Sequence, residues 1–320
     1  MLNDTAHADR VYAIARQNSA AASSPIAASW RRCMTQHNLA PEQERSPLRL
    51  TGHEFAETRE RSLALVSEAQ DELDRLFQTI GKAGCCIVLS DATGVVLEKR
   101  STAGDERDFN RLGLGQGAVW SEASVGTNGI GTALADERSV LVFRDQHFLS
   151  SNARLSCATA PVRDHRGQVA AAIDISTCRD DVNEMTLSIL GQAVRDSAGR
   201  IETNLFRRAF AGNRFVLVPN VSGTAAAILA VDRDDLILGA TRAARVALKI
   251  DDARIAQGIP ASDVLPELRR PVSGDDLMDA ERAALRRVLS RTNGNVSQAA
   301  VLLGISRATL HRKLKKLDMH

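Results

Sequence analysis

The last forty residues confine this chain more tightly than anything before them. Ala284, Leu285, Val288 and Leu289 recur at the spacing of one helical face, and Gly294 follows as a stop signal. Asn295 stands where a helix cap is needed, and Gln298 falls at the position that completes a capping box. A short helix is predicted from Val296 to Leu303, with the small Ala299 and Ala300 turned inward. Gly304 supplies the positive φ of a tight turn. Ile305 then plugs the core, and Ser306 caps a third helix from Arg307 to about Leu317. Two helices joined by a glycine turn, the first thinned by alanines so that the second crosses closely, make a helix-turn-helix unit.

On the third helix Leu310, Leu314 and Leu317 share one face. Arg307, His311, Arg312, Lys315 and Lys316 cover the others, with Thr309 near the start. Nine Lys/Arg face three acids from Asp279 to His320, a net charge of +6, while the rest of the chain carries −4. A solvated basic helix would explain the charge alone. The charge together with the leucine stripe suits a helix lying in a major groove between two rows of phosphates.

Gly294-Asn295, Ala299-Ala300, Leu303-Gly304-Ile305-Ser306-Arg307, Thr309-Leu310 and Lys313-Leu314 resemble the Fis-type helix-turn-helix that ends many bacterial enhancer-binding activators. The resemblance implies that Ser306, Arg307, Thr309, His311 and Arg312 approach bases and nearby phosphates of double-stranded DNA. Lys313, Lys315 and Lys316 would contact mainly the backbone, which positions a protein without reading sequence. It also implies a homodimer on an inverted repeat, since paired recognition helices must meet groove faces about one helical turn apart.

The 320 residues allow about two domains with an appendage. No apolar run approaches the ~18 residues needed to cross a bilayer. The N-terminus lacks a secretion signal, so no membrane association and a cytoplasmic location, on the nucleoid when DNA-bound, are expected. Five cysteines (Cys33, Cys85, Cys86, Cys157, Cys178) show no zinc-like spacing, and most are expected to be small core residues. No metal, cofactor or catalytic residue is expected.

Upstream, an apolar stripe through Leu63, Val66, Leu73, Leu76, Phe77 and Ile80 predicts one long helix from about Glu54 to Ile80. Strands are expected at Cys85–Asp91, Val95–Leu97, Ser139–Arg144, Leu155–Arg163 and Gln168–Ile175, with turns at Ala92-Thr93-Gly94 and Asp164–Gly167. A closing helix runs from about Asp181 to Leu205. This is an α+β arrangement of antiparallel sheet flanked by helices.

Several clusters here resemble the GAF domain of acetoin-catabolism-type activators. They are Ser29-Trp30-Arg31-Arg32-Cys33 with Asn38–Pro41, Trp120-Ser121-Glu122, Gly126-Thr127-Asn128-Gly129-Ile130-Gly131, His147-Phe148, Cys157 with Ala160-Pro161, and Asp174-Ile175-Ser176. Gln146 departs from the pattern, where relatives often carry an acid. The resemblance implies a small-molecule effector held near Trp120, Glu122, Asn128, His147 and Cys157. Plainer readings stand beside that one. The G-x-x-G-x-G run suits turns better than a phosphate cradle, Trp120 suits a core, and His147 lacks partners at metal-ligand spacing.

From Ala226 to Leu248 the pattern reads strand-turn-strand-helix, similar to the opening half of a PAS domain. Pro266, Pro271, Ser273 and Gly274 mark a hinge. The expected organisation is a helical region at 1–52, a GAF-like sensor at 53–206, a partial PAS-like or linker segment at 207–265, a hinge at 266–276 and an all-α DNA-binding domain at 277–320. No G-x-x-x-x-G-K-[ST] motif occurs, and too few residues separate sensor from DNA-binding module for an ATPase. The expected function is a ligand-responsive transcription regulator that acts by occupying DNA and either blocking or recruiting RNA polymerase. Two alternatives are an architectural DNA-binding protein whose sensor only dimerises, and an enzyme reducing oxidised methionine through Cys85-Cys86 or Cys157.

Overall fold

The computed structural model describes residues 2–219, 221, 226–265, 276–292 and 294–317. They fall into two compact units, residues 1–205 and 206–320.

Three helices open the first unit: α1 (Leu2–Ala15), α2 (Asn18–Ser23) and α3 (Pro25–Thr35). The Ser24 hydroxyl accepts the Ala27 N–H, and Pro25 sits in the first turn, where its missing N–H leaves no bond unmade. After the short strand β1 (Leu48–Arg49) come α4 (Gly52–Arg61) and α5 (Leu63–Ile80). The single helix expected from Glu54 to Ile80 is thus two, broken at Ser62 (φ −97°, ψ 7°) and begun earlier by a Thr51/Glu54 capping box. Along α4 Thr58 is buried, Phe55 is half-buried beside Gly117 and Arg59 pairs with Glu98 at 3.1 Å, so this helix has partners of its own apart from the α5 stripe.

The remaining elements of this unit are β2 (Cys85–Asp91), β3 (Val96–Arg100), α6 (Glu106–Arg111), β4 (Ala118–Val119), α7 (Glu122–Val125), α8 (Gly129–Asp136), β5 (Val140–Phe143), β6 (Ser156–Arg163), β7 (Val169–Thr177) and α9 (Glu184–Ala209). Five strands form one antiparallel sheet in the order β3-β2-β7-β6-β5, and β1 pairs with β4. Side chains alternate across it. Ile87, Leu89, Ala158, Ala160, Ile173 and Ile175 pack with Leu65, Leu73, Leu187, Val194 and Ile201 of α5 and α9. Cys86, Val88, Cys157 and Ala172 join Phe109, Trp120 and Phe148, together with Val11, Trp30 and Cys33 of the N-terminal helices. Both faces are therefore buried, which is why these strands read as near-continuous apolar runs.

The second unit begins with the end of α9, whose Phe206 packs on Ile228 and Ala230. Strands β8 (Arg214–Leu217), β9 (Ile228–Val231) and β10 (Ile237–Ala240) form an antiparallel sheet in the order β10-β9-β8. Helices α10 (Arg242–Leu248), α11 (Asp252–Ala256) and α12 (Ala261–Val264) follow. Strand β8 buries Val216 alone among its four residues, too little pattern to announce a strand. The last three helices are α13 (Asp276–Arg291), α14 (Val296–Leu302) and α15 (Arg307–Lys316). The hinge residues Pro266, Pro271, Ser273 and Gly274 lie outside the described residues.

Candidate nucleic-acid interface and a buried polar ladder

The C-terminal module is built on a small apolar centre. Leu285 of α13, Ala299 and Ala300 of α14, and Leu310, Leu314 and Leu317 around α15 are buried together, with Val288, Leu289, Leu303 and Ile305 packed beside them. Gly294 and Gly304 take φ of +78° and +66°, the left-handed turns that end α13 and join α14 to α15. Asn295 Oδ1 accepts the N–H groups of Ser297 and Gln298. Among the described residues the Gln298 side chain makes no return bond, so the cap is single and not the box its spacing suggests.

The leucine face of α15 leaves the rest of the helix outward. Ser306 is the N-cap: its Oγ accepts the Thr309 N–H at 3.1 Å and lies 2.8 Å from Thr309 Oγ1. Arg307, His311, Arg312, Lys315 and Lys316 are exposed, and Thr309 and Lys313 are half-buried. Lys313 forms an ion pair with Glu281 of α13, and that ammonium holds the Glu281 carboxyl below its ordinary range. Of the eight residues read from sequence, Lys313 is therefore tied to another helix of the module, while Ser306 and Thr309 are tied to each other at the start of α15.

The other predicted residues lie inside the first unit. Along β6 and β7 the inner face carries polar side chains in register, Cys157 opposite Ser176 and Thr159 opposite Asp174. Ser176 Oγ donates to Asp174 Oδ2 at 2.6 Å, and Thr159 donates to Oδ1. The Cys157 thiol lies 3.1 Å from Ser176 Oγ and 3.4 Å from His147 Nε2. His147 Nδ1 lies 2.8 Å from the Arg144 carbonyl. A carbonyl only accepts, so Nδ1 carries the proton and Nε2 is left to accept the thiol's.

Burial governs the acidities here. It raises Asp174 to about 6, against the hydrogen bonds from Ser176 and Thr159, and lowers His147 to about 4. It also drives the Cys157 thiol well above its usual value. A thiol held protonated is a poor nucleophile.

The glycine run roofs this ladder. Gly126 turns with φ +69°, Asn128 Oδ1 caps α8 by accepting the Gly131 N–H at 2.9 Å, and Asn128 Nδ2 donates to the Gly126 carbonyl at 2.8 Å. A Cβ on Gly129 would fall 2.6 Å from Asp174 Oδ1 and 2.8 Å from Cys157 Cβ, and one on Gly131 would fall 2.7 Å from the Ser121 carbonyl carbon. Only one of the three glycines is a turn former; the other two let α8 settle directly on the sheet. The side chain of Trp120 is buried, its Nε1 donating to the Gly113 carbonyl at 3.4 Å.

From the far side α3 grips the same roof. Arg32 donates to both Glu122 oxygens, at 2.8 and 2.9 Å, and pairs with Asp136 at 2.9 Å. Ser29 donates to Glu122 and lies 2.6 Å from Thr127 Oγ1. Trp30 Nε1 donates to the Gln146 carbonyl at 2.8 Å, and His7 of α1 contacts Ser150, Asp145 and His147 of the same loop. The structure thus gathers His147 and Cys157 at the ladder and places Asn128 and Glu122 in its roof. Thr159, Asp174, Ser176, Ser29 and Arg32 were not read as site residues. The signal for the first three was polar residues two apart in otherwise apolar strands.

Comparison with known proteins agrees with this division. Residues 4–202 match the family described as MimR, N-terminal domain, and residues 277–317 match the bacterial regulatory protein, Fis family. The acetoin catabolism regulatory protein of Cupriavidus necator is 31% identical over 226 residues, 69% of this chain and 34% of that protein. The propane 2-monooxygenase operon transcriptional activator MimR of Mycolicibacterium smegmatis is 28% identical over 175 residues, 54% of this chain and 28% of that one. The chain therefore spans about a third of the length of these relatives. The fold resembles that in the crystal structure of the E. coli DhaR(N)–DhaL complex, with a TM-score of 0.50, 19% identity, and cover of 75% of this chain and 80% of that one. No central ATPase is evident, as only residues 203–276 lie between the two matched segments. The chain belongs to the MimR N-terminal-domain family and carries a Fis-family helix-turn-helix at its C-terminal end.

Proposed function

We propose that this chain is a DNA-binding transcription regulator in which a GAF-like sensor, residues 53–206 together with the helices of 1–52, governs the module at 277–320. The observation that carries the reading is α15, held by three buried leucines and offering exposed Arg307, His311, Arg312, Lys315 and Lys316 outward. Arg307 and Arg312, with Ser306, Thr309 and His311 at the leading end, meet base edges and adjoining phosphates, while Lys315 and Lys316 meet the backbone. Lys313 acts as a strut through Glu281. The working species is a homodimer on an inverted repeat, and regulation proceeds by occupancy and contact with polymerase.

The sensor's effector is a small molecule admitted at His147 and Cys157, where Glu122, Asn128 and Trp120 hold the roof. Support comes from the ladder itself: four hydrogen-bonding side chains on a core face contribute less to packing than apolar residues would, and such networks are high-stakes. Residues 207–265 serve as a PAS-like connector to the module.

Selection from a random duplex library tests the division of labour. The intact chain is expected to enrich a two-fold symmetric sequence. Arg307→Ala should relax one base position and weaken that site by about 1–3 kcal/mol. Enrichment of no sequence by the folded chain would leave the architectural alternative standing instead.

A further inference from the structure

Helix α13 is shared between the DNA-binding module and the small sheet before it. Leu285, Val288 and Leu289 give one side to the module's core, and Glu281 reaches Lys313 of the recognition helix. Arg286 and Ser290, one turn apart, meet something else. Arg286 pairs with Asp234 in the turn between β9 and β10. A Cβ on Gly258 would stand 3.5 Å from Ser290 Oγ. At about 100° per residue, Glu281 and Arg286 project roughly 140° apart around the helix.

The two contact points belong to one rigid piece. Asp232 Oδ1 accepts the N–H groups of Asp234 and Leu236, which fixes the turn that presents Asp234. Ile237 N donates to the Ile259 carbonyl and Ala261 N to the Asp235 carbonyl, each at 2.8 Å, and Leu236 bridges Pro260. The turn at 232–236 and the loop at 258–261 therefore move together.

We propose that this piece is a seat for the DNA-binding module. Asp234 and the 258–261 loop hold α13, α13 holds α15 through Glu281–Lys313, and the orientation of the recognition helix is set by the small sheet. The seat turns the connector from a tether into the element that decides how far apart two recognition helices stand. This use of it rests on the dimeric DNA-binding reading above.

The test is charge reversal in the full chain, D234R against D234R/R286D, each given a random 40-base-pair duplex library. The unaltered chain is expected to select paired half-sites at one spacing. D234R should select the same half-site at several spacings, and the double reversal should regain one. Unchanged spacing in D234R overturns the proposal. If the unaltered chain selects lone half-sites, the dimeric reading fails, and amide exchange then judges the seat by itself. D234R should speed exchange in α13 and at 232–236 at least tenfold, restored by R286D. Exchange equal in all three chains would show that no seat exists.

Discussion

Asp174 and His147 sit on one hydrogen-bonded chain with opposite shifts, and their effects on stability oppose each other. Asp174 titrates near 6 when folded against 3.8 for the free group, so its burial burdens the fold above pH 6 and is relieved as pH falls toward 4. His147 titrates near 4 when folded against 6.5, so folding keeps it neutral and stability is lost as pH falls from 6.5 toward 4. The two largely cancel in that window. Asp174→Asn leaves the histidine unopposed. Its urea-unfolding free energy should fall more steeply than that of the unaltered chain between pH 6.5 and 4.5, by up to about 1.4 kcal/mol per pH unit. Parallel profiles would mean that Asp174 is not the opposing group. Arg32 belongs to this scale as well. Removing it by Arg32→Ala leaves Glu122, 4% exposed, without its cation, at about 3–5 kcal/mol in thermal or urea unfolding.

At the scale of elements, α8 and α15 show two ways in which a helix is held. Helix α8 is seated by missing side chains. Gly129→Ala places a methyl against Asp174 and Cys157 and should lower the sensor's stability by several times the ~1 kcal/mol that separates Gly from Ala in an open helix, with the opposite sign. Helix α15 is seated by leucines, and Leu314→Ala should cost about 2–5 kcal/mol and unfold the module before the sheet. Much of this was legible beforehand. Asn295, Gly304 and Ser306 announce the module because caps and turns act locally, and β2, β6 and β7 announce themselves by apolar runs. What stayed hidden depends on contacts far apart in the chain. Nothing near Ser62 in sequence shows that α4 takes partners of its own, Phe55 beside Gly117 and Arg59 on Glu98, nothing in Lys313 shows Glu281 beside it, and the close-approach roles of Gly129 and Gly131 need the sheet beneath them.

At the scale of the whole molecule, the chain joins a sensor fold built on a five-stranded sheet to a cationic reading head, and what passes between them must be differential binding. An effector shifts DNA affinity only by as much as its own affinity differs between the DNA-competent and incompetent states. On the sensor reading proposed above, a panel of small metabolites should contain one that changes both the unfolding temperature and the duplex affinity, and whose effect is lost in Cys157→Val. A compound that stabilises the fold without changing affinity would be a bystander.

The central claim, that α15 is a reading head for a polyanion, is tested most directly by duplex affinity as a function of salt. The logarithm of the association constant should fall linearly with the logarithm of salt concentration, by about 0.9 for each lysine or arginine that meets a phosphate. Lys316→Ala should flatten that slope by about one contact, whereas Lys313→Ala, already paired with Glu281, should flatten it less. Affinity that ignores salt, in a chain whose C-terminal helices are folded, would contradict the account.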